Sequence, residues 1–345
     1  MGEVTKKTRK RVRIWLLLGA LCALIVAFAF YAYKSLKVYP LLTEGEVVNF
    51  YVHDSGLTVE EVLRPLERSG RLKNSNVYHF ILRIKGNPMA LKGHYQISQE
   101  TTILEAMRIL AQGYETPVWL RINGYKNLTQ IGEQISGEFG YPPSQTLAML
   151  QEIGMAQIIP NSYEVYWTSS LDELQERLLQ EFSIFWTKTR REKAEELGLT
   201  PQEVVILSSI VQAETKEPTE WKRVASLYLA RLEHGWRLEA DPTAVYAYKL
   251  LHPEENEVIR RVSIEITQLE HPYNTYHISG LPPGPLSTVE TEIIDAVLDA
   301  RPGNEFFMCA DPDRPGFHAF AQSLSEHNRN AARYHESLNR RGIRR

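Results

Sequence analysis

The chain has 345 residues, 43% of them hydrophobic and 23% charged, a globular composition with enough length for two domains. Its formal net charge of -3 gives no indication of a nucleic-acid partner. Cysteine occurs only as Cys22 and Cys309, and Cys22 lies in a strongly apolar segment. The sequence therefore excludes a disulfide framework and a cysteine-based zinc site.

The N-terminus combines a basic tail with an apolar segment. Residues 1–13 carry six Lys or Arg side chains and one acid, whereas residues 14–33 carry no charge. A helix of the latter length spans about 30 Å, the thickness of a hydrocarbon core. Because only Lys34 and Lys37 follow closely, the positive-inside rule predicts a cytoplasmic tail, a transmembrane helix over 14–33 and an exported remainder. The alternative, a signal peptide cleaved after Ala29, exports the same remainder.

The exported part is predicted to be α+β. Residues 34–45 form a linker, and 46–117 a small subdomain in which strands near Asn49–Val52 and His94–Ser98 flank two helices. The remaining residues, 118–345, form a larger mixed α+β domain. A Ser or Thr followed three residues later by Glu is typical of a capping box and predicts helix starts at Thr58, Thr102, Ser170, Thr200 and Ser287.

Further elements are predicted within 118–345. The alternating apolar side chains of Val118–Ile122 indicate a half-buried strand. The helix after Ser170 is expected to continue to Gly198. Residues 306–310 and 317–321 are predicted to pair as a hairpin around a turn rich in Asp, Pro and Gly.

The helix after Thr200 carries the first candidate for chemistry. Val204, Leu207, Val211 and Glu214 follow steps of three and four residues, so they share one face. If that face packs inward, partial desolvation raises the pKa of the Glu214 carboxyl, as a general acid for glycosidic-bond cleavage requires. The alternative is a salt-bridged or solvated glutamate at a helix end.

Two downstream segments have the composition of a sugar-binding surface. Asp241-Pro242-Thr243 is followed by the aromatic and amide-bearing Pro272–Tyr276 and the stiff loop Gly280–Pro285. Aromatic faces stack on sugar rings, and amides form hydrogen bonds with hydroxyls. A rigid surface loop without a ligand is the competing interpretation.

Motifs for other chemistry are lacking. The sequence has no zinc-protease H-E-x-x-H, no G-x-S-x-G elbow and no phosphate-binding glycine loop, so we predict no metal and no cofactor. For His318 and His327 a structural or surface role is favoured over metal binding.

Several segments occur together in a fixed order: Ser209–Thr215, Glu220 with Arg223–Ala225, Ala240–Tyr246, Pro272–Tyr276, Gly280–Pro285, and His318 with Ser325–Asn328. In this order and spacing they resemble the YceG-like family of endolytic murein transglycosylases. The resemblance covers roughly residues 45–340. Where the family has Glu-Lys before its catalytic glutamate, this chain has Gln212-Ala213, and where the family often has Asp-Thr it has Asn161-Ser162.

The resemblance implies a LysM-like subdomain at 46–117 and a catalytic domain at 118–345 that faces peptidoglycan. It implies cleavage of the β-1,4 bond between N-acetylmuramic acid (MurNAc) and N-acetylglucosamine (GlcNAc) inside nascent strands, leaving 1,6-anhydro-MurNAc ends and terminating elongation. One carboxyl is sufficient when the sugar's own C6 hydroxyl is the nucleophile, whereas ordinary glycosidases use two. The expected partners are glycan strands, the bacterial cell membrane and cell-wall synthases whose identity stays open.

Glu214 is the predicted catalytic residue, and the predicted substrate-binding residues are Glu220, Asp241, Asn274 and Tyr276. Two other functions remain open. One is a hydrolase that uses Glu220 or Asp241 as a second carboxylate. The other is a glycan-binding scaffold without activity, a possibility raised by the divergence at Gln212.

The topology is directly testable. A reporter that is active only outside the cytoplasm, fused to the C-terminus, should be active, because the basic tail holds the N-terminus inside. Sequencing the mature N-terminus should return the uncleaved chain. An inactive reporter, or a mature chain that begins near Phe30, would contradict the retained anchor.

Overall fold

The structure, a computed structural model, describes residues 2–37, 41–42, 47–54, 56–73, 75–254, 259 and 262–340. Contacts divide the chain into two compact units. The first unit reaches Val118 and includes Tyr166–Thr168, and the second consists of Trp119–Val165 and the residues from Ser169 onward. This division lies next to the predicted boundary between residues 117 and 118.

The first unit is built around a two-stranded antiparallel sheet. Its strands pair in a register that places Val48 opposite Ile97 and Phe50 opposite Tyr95. The predicted order of strand, two helices and strand is present, and a further helix follows. The elements in chain order are α1 (Gly2–Lys37), β1 (Val47–Val52), α2 (Val59–Arg68), α3 (Ser75–Lys85), β2 (Gly93–Ser98) and α4 (Ile103–Gln112).

The apolar N-terminal segment lies in α1, which also contains residues 2–13 and 34–37. Among the described residues, α1 alone is long and apolar enough to cross a membrane, over Ile14–Tyr31, and this stretch is not buried inside the protein. A signal sequence would pass the same test of length and composition.

The predicted linker 34–45 is described only in part, since residues 38–40 and 43–45 lie outside the described residues. Leu41 and Leu42 are fully buried in the core of the first unit. The backbone of Leu41 donates a hydrogen bond to Thr101 and accepts one from Lys73. These two residues therefore belong to the packed unit, because their apolar side chains are removed from water.

The second unit packs helices around one buried helix, with two small sheets at its edges. Its elements in chain order are β3 (Val118–Ile122), α5 (Leu128–Phe139), α6 (Pro143–Ile153), β4 (Asn161–Val165), α7 (Leu171–Phe185), α8 (Lys188–Glu196), α9 (Pro201–Glu214), α10 (Pro218–Glu233), α11 (Asp241–Leu251), α12 (Ile264–Thr267), α13 (Thr291–Leu298), β5 (Phe307–Ala310), β6 (His318–Ala321) and α14 (Leu324–Arg340). β3 pairs with β4, and β5 with β6 as the predicted hairpin.

Local signals placed four of the five helix starts predicted from capping boxes. Both hydrogen bonds of the capping box are present at Thr58, Ser170 and Thr200, and the Thr102 side chain accepts from the backbone of Glu105. Ser287 does not cap a helix, because α13 begins only at Thr291. The hydroxyl of Ser287 instead accepts a hydrogen bond from the Gln212 amide.

The single helix predicted from Ser170 to Gly198 is wrong, since α7 and α8 are separate. The chain breaks at Trp186, which is buried, and Thr187 caps the second helix by accepting from the backbone of Arg190. The Arg190 guanidinium then donates to the Phe185 carbonyl and, through two bonds of 2.7 and 2.9 Å, to Asp295 on α13. Tertiary contacts of this arginine hold the bend, which helix periodicity does not reveal.

Helix α9 is buried on all sides rather than on one face as predicted. Every residue from Val204 to Val211 is buried, including Ser208 and Ser209, whose hydroxyls donate to carbonyls one turn earlier. α10, α11 and α13 pack against it. Helix α9 is therefore the centre of the core of the second unit.

The Gln212 amide ties α9 to the segment before α13. Its Nε2 donates to the Ser287 hydroxyl at 3.0 Å and to the Thr288 carbonyl at 2.9 Å, while its Oε1 accepts from the Glu290 backbone at 2.9 Å. An ionised glutamate has no hydrogen to donate, so it cannot reproduce the bond to the Thr288 carbonyl, whereas the Ser287 hydroxyl could reverse its role and donate. The segment 287–290 therefore offers hydrogen-bond partners that match the side chain of a glutamine.

We expect Gln212→Glu to lower the free energy of unfolding at neutral pH by about 1–3 kcal/mol, because the Thr288 carbonyl would face a carboxylate. The loss should shrink in acid, where a protonated carboxyl can donate. Chemical denaturation at two pH values measures both effects. The same substitution at the exposed Gln145 is the control and should change stability by less than about 0.5 kcal/mol. Equal effects at both positions would contradict this role.

Candidate active site

Glu214 is the last residue of α9, where the buried helix reaches the surface of the core. The next residue, Thr215, is extended and turns the chain toward α10. Its hydroxyl accepts from the backbone of Glu217 and donates to Glu220 at 3.3 Å. The helix end and this turn together place the Glu214 carboxyl at the edge of the apolar core.

Burial raises the pKa of Glu214 to about 7, above its usual 4.5. A hydrogen bond of 2.5 Å from the Tyr228 hydroxyl to Glu214 Oε1 opposes the shift, since it stabilises the carboxylate. The negative charge of Asp241 raises the pKa further, and Arg231 lowers it. The side chain keeps partial contact with solvent. Near neutral pH this carboxyl is therefore divided between its acid and base forms.

Glu214 lines a cleft of about 420 Å³, here called the Glu214 cleft. Its walls come from α10, the segment before α11, Tyr276, the β5–β6 hairpin and α14. The charged, aromatic and sulfur-bearing side chains that line it, besides Glu214, are Tyr228, Arg231, Glu239, Asp241, Tyr276, Met308, Cys309, His318, His327, Tyr334 and His335. Such a mixture can bind a polar ligand through both hydroxyl-bonding and stacking groups.

Asp241 and Tyr276, two of the predicted substrate-binding residues, line this cleft together with Glu214. The Tyr276 hydroxyl donates to Asp241 Oδ1 at 2.7 Å. Asp241 is the first residue of α11, where the helix dipole stabilises a negative charge. Burial first, and then the hydrogen bond to Asp241, raise the pKa of Tyr276, so this hydroxyl stays a donor.

Asn274 does not contact the cleft, which corrects its predicted role in direct substrate binding. Its side chain is fully buried, and its Nδ2 donates to the carbonyls of Thr267 and Leu269 at 3.0 and 2.7 Å. Its Oδ1 accepts from the backbone of Tyr276 at 3.1 Å. The amide is used to hold the loop that presents Tyr276, so Asn274 is a positioning residue.

Glu220 lies behind the cleft rather than in it, which likewise corrects its predicted role in binding. It is 5% exposed and accepts two hydrogen bonds of 2.9 Å from one residue, His318, through the backbone nitrogen and Nδ1. His318 itself lines the cleft at the start of β6. Glu220 thus anchors the hairpin and orients the imidazole.

Sequence reasoning missed Tyr228, Arg231 and Glu239. Arg231 is almost buried and donates to the carbonyls of Phe306 and Leu238 at 2.8 and 2.7 Å. Glu239, which pairs with Arg231 at 3.4 Å, has a φ of +47°, a conformation unusual for a residue with a side chain. The sequence holds one signal for two of these residues. Tyr228 and Arg231 are three residues apart on α10, and this spacing places their side chains on one helical face.

Metal-binding groups are not clustered in the part of the chain that the structure describes: no set of three or more His, Cys, Asp or Glu side chains could hold an ion. His327 also lines the cleft, with a buried Nδ1 that has no partner among the described residues. Burial, followed by the charge of Arg231, lowers its pKa. It is therefore a neutral group at neutral pH.

The chain belongs to the YceG-like family, whose sequence pattern matches residues 51–333. It is 22% identical over 346 residues to the endolytic murein transglycosylase of Bacillus subtilis strain 168, covering 92% of each chain. The endolytic murein transglycosylase of Streptococcus pneumoniae R6 is 21% identical over 322 residues, which are 81% of this chain. The match covers only 57% of that longer protein.

The fold is shared with a solved structure. The 2.6 Å crystal structure of a YceG-like protein from Listeria monocytogenes matches 82% of this chain and 98% of that chain, with a TM-score of 0.51 and 20% identity. At this level of identity the likeness concerns the fold.

The raised pKa of Glu214 makes stability depend on pH. Between pH 4.5 and about 7 the folded protein holds a proton that the unfolded chain releases, so the free energy of unfolding falls as pH rises through this window. Glu214→Gln removes the titrating carboxyl, and with it this loss of stability. We expect the variant to match wild type below pH 4.5 and to exceed it above pH 7 by at most about 3 kcal/mol.

Denaturation of both proteins across pH 4–8 measures the difference. Tyr228→Phe is the companion variant: without the hydroxyl the pKa of Glu214 should rise further, and the window of falling stability should extend to higher pH. A stability difference between wild type and Glu214→Gln that does not change with pH would show that Glu214 titrates as an ordinary surface carboxyl.

Proposed function

We propose that this chain is an endolytic peptidoglycan lytic transglycosylase with Glu214 as its single catalytic acid and base. It cleaves the MurNAc–GlcNAc β-1,4 bond within nascent strands, leaves 1,6-anhydro-MurNAc ends and so terminates elongation. The observation that carries this proposal is a carboxyl with a pKa of about 7 in a polar and aromatic cleft. Membership in the YceG-like family and the names of the two relatives support it.

In the first step Glu214 is an acid. Its proton passes to O4 of the departing GlcNAc as the bond from C1 of MurNAc to that oxygen breaks. The Tyr228 hydroxyl holds Oε1 at 2.5 Å, which leaves the other carboxyl oxygen to carry the proton. General acid assistance of this kind contributes about 10²–10⁴-fold to a rate.

In the second step the resulting carboxylate is a base. The C6 hydroxyl of the same MurNAc attacks C1, the C1–O6 bond forms, and the hydroxyl proton passes to Glu214. The Tyr228 hydrogen bond stabilises the carboxylate between the two steps. The proton donated in the first step is recovered and no water is consumed, so the enzyme is a lyase.

Asp241 gives one observation in favour of a second candidate, a two-carboxylate hydrolase. Its carboxyl shares the Glu214 cleft and is held by Tyr276 at 2.7 Å. Glu220, the other carboxylate considered, is enclosed by His318 and Thr215 and has no access to the cleft. Our proposal gives Asp241 and Tyr276 a substrate-binding role, in which the carboxylate accepts hydrogen bonds from sugar hydroxyls.

The proposal also assigns roles to α1 and to the rest of the first unit. α1 would anchor the enzyme in the bacterial cell membrane, with the N-terminus in the cytoplasm and the second unit outside, next to cell-wall synthases. The strand, two helices and strand of β1, α2, α3 and β2 support a LysM-like role in glycan binding. The first statement extends the prediction made from the basic tail and the apolar segment, and the second extends what the resemblance to the YceG-like family implies.

The test uses the full chain in detergent with nascent, uncrosslinked peptidoglycan, and mass spectrometry of the products. Wild type should release 1,6-anhydro ends, at a rate that declines as pH rises through about 7. Glu214→Gln should lose about 10²–10⁴-fold in rate at equal folded concentration. Asp241→Asn should bind substrate less well but still produce anhydro ends.

Glu220→Gln is the matched control, since it removes a carboxylate of the same size outside the cleft. Its rate loss should be milder and accompanied by a lower melting temperature, because glutamine has one acceptor oxygen where Glu220 uses two to bind His318. Reducing ends that depend on Asp241 would establish the hydrolase instead. Binding of glycan without any cleavage would establish the scaffold, and equal losses for Glu214→Gln and Glu220→Gln would contradict the single-carboxylate mechanism.

A further inference from the structure

An aromatic cluster continues from the wall of the Glu214 cleft to the surface. Phe307 on β5 lies 5.5 Å from the ring of His327 and 5.7 Å from the guanidinium of Arg231, two residues that line the cleft. On its other side, Phe307 lies 6.1 Å from Trp236, which also contacts Phe306 at 5.0 Å. Trp236 is 45% exposed and forms the outer end of the cluster.

The backbone fixes the position of Trp236. Two residues after the end of α10, Gly235 has a φ of +70°. The nitrogen of Gly235 donates to the Leu232 carbonyl, and that of Trp236 donates to the Arg231 carbonyl at 2.8 Å. These two bonds define a Schellman motif, in which glycine adopts the left-handed conformation at no steric cost. The same turn of α10 therefore supplies Arg231 to the cleft and holds Trp236 next to it.

Polar groups accompany the exposed ring. Arg237 follows Trp236 and donates to the Tyr276 carbonyl at 2.8 Å, which links this turn to the loop that presents Tyr276. Glu239 lines the cleft with about half of its side chain exposed, and its backbone nitrogen bonds to the Thr275 carbonyl. An exposed aromatic ring and a carboxylate three residues further along the same segment suit a sugar ring that has one apolar C–H face and several hydroxyls.

We propose that Trp236 and Glu239 form a second glycan subsite, which holds a sugar of the same strand away from the bond that is cut. This inference rests on the proposed function and deepens it. An enzyme that cleaves within a strand must bind sugars on both sides of the bond, and a fixed tryptophan contributes contact area at low cost in side-chain entropy. Continuity with the Glu214 cleft through Phe307 and Arg231 favours a glycan strand as the occupant.

Binding can be measured apart from catalysis. We would titrate the full chain in detergent, carrying Glu214→Gln to prevent turnover, with peptide-free glycan strands of long and short length by calorimetry. Adding Trp236→Ala should weaken binding of long strands about tenfold or more, the usual effect of truncating an anchoring aromatic residue. Binding of short strands that occupy only the Glu214 cleft should change little. Trp236→Tyr should retain most of the affinity.

The matched control is Trp119→Ala, which removes a tryptophan of similar exposure, 55% against 45% for Trp236, that does not line the cleft. In the active enzyme, Trp236→Ala should raise KM for long strands and leave kcat nearly unchanged. Unchanged affinity for long strands, or equal loss for long and short strands, would overturn the subsite. If wild type cleaves no glycan while Trp236→Ala still weakens long-strand binding, the subsite stands and the proposed activity fails.

Discussion

The burial of the middle of α9, from Val204 to Val211, is the constraint on which the candidate site depends. Because every residue from Val204 to Val211 is packed, the helix cannot rotate or shift without opening the core. Its last residue is therefore held where the apolar interior meets the cleft. Partial desolvation there raises the pKa of Glu214 to about 7, and one hydrogen bond from Tyr228 limits the shift. The same packing that stabilises the second unit thus sets the protonation state of its central carboxyl.

Helix α10 provides most of the surroundings of that carboxyl. Near its start, Glu220 holds His318 and with it the β5–β6 hairpin. Further along, Tyr228 bonds to Glu214 and Arg231 bonds to the carbonyls of Phe306 and Leu238. Glu220 does not touch the cleft, whereas Tyr228 and Arg231 line it, and all three hold its walls in place. A disturbance of α10 would therefore change both the fold and the chemistry of the second unit.

One of the positions at which this chain departs from the family pattern, Gln212, has a physical explanation. Gln212 uses its amide to bind three groups in the segment 287–290, and the bond to the Thr288 carbonyl requires a donor that an ionised glutamate lacks. The change leaves Glu214 at the end of the same helix. Ser162 and Asn161 lie in β4, where the Asn161 amide donates to Glu181 at 2.7 Å. Neither residue lines the Glu214 cleft.

The sequence by itself determined most of the local elements, and its resemblance to the YceG-like family selected Glu214 as the candidate carboxyl. Capping boxes placed the starts of α2, α7 and α9, because their hydrogen bonds join residues only three apart. The apolar spacing before Glu214 indicated its desolvation for a similar reason. Only the tertiary structure decided that α9 is buried on every side, that Arg190 holds a break between α7 and α8, and that Glu220 and Asn274 face inward. These outcomes depend on contacts between residues distant in the chain, and such contacts leave no periodic signal in the sequence.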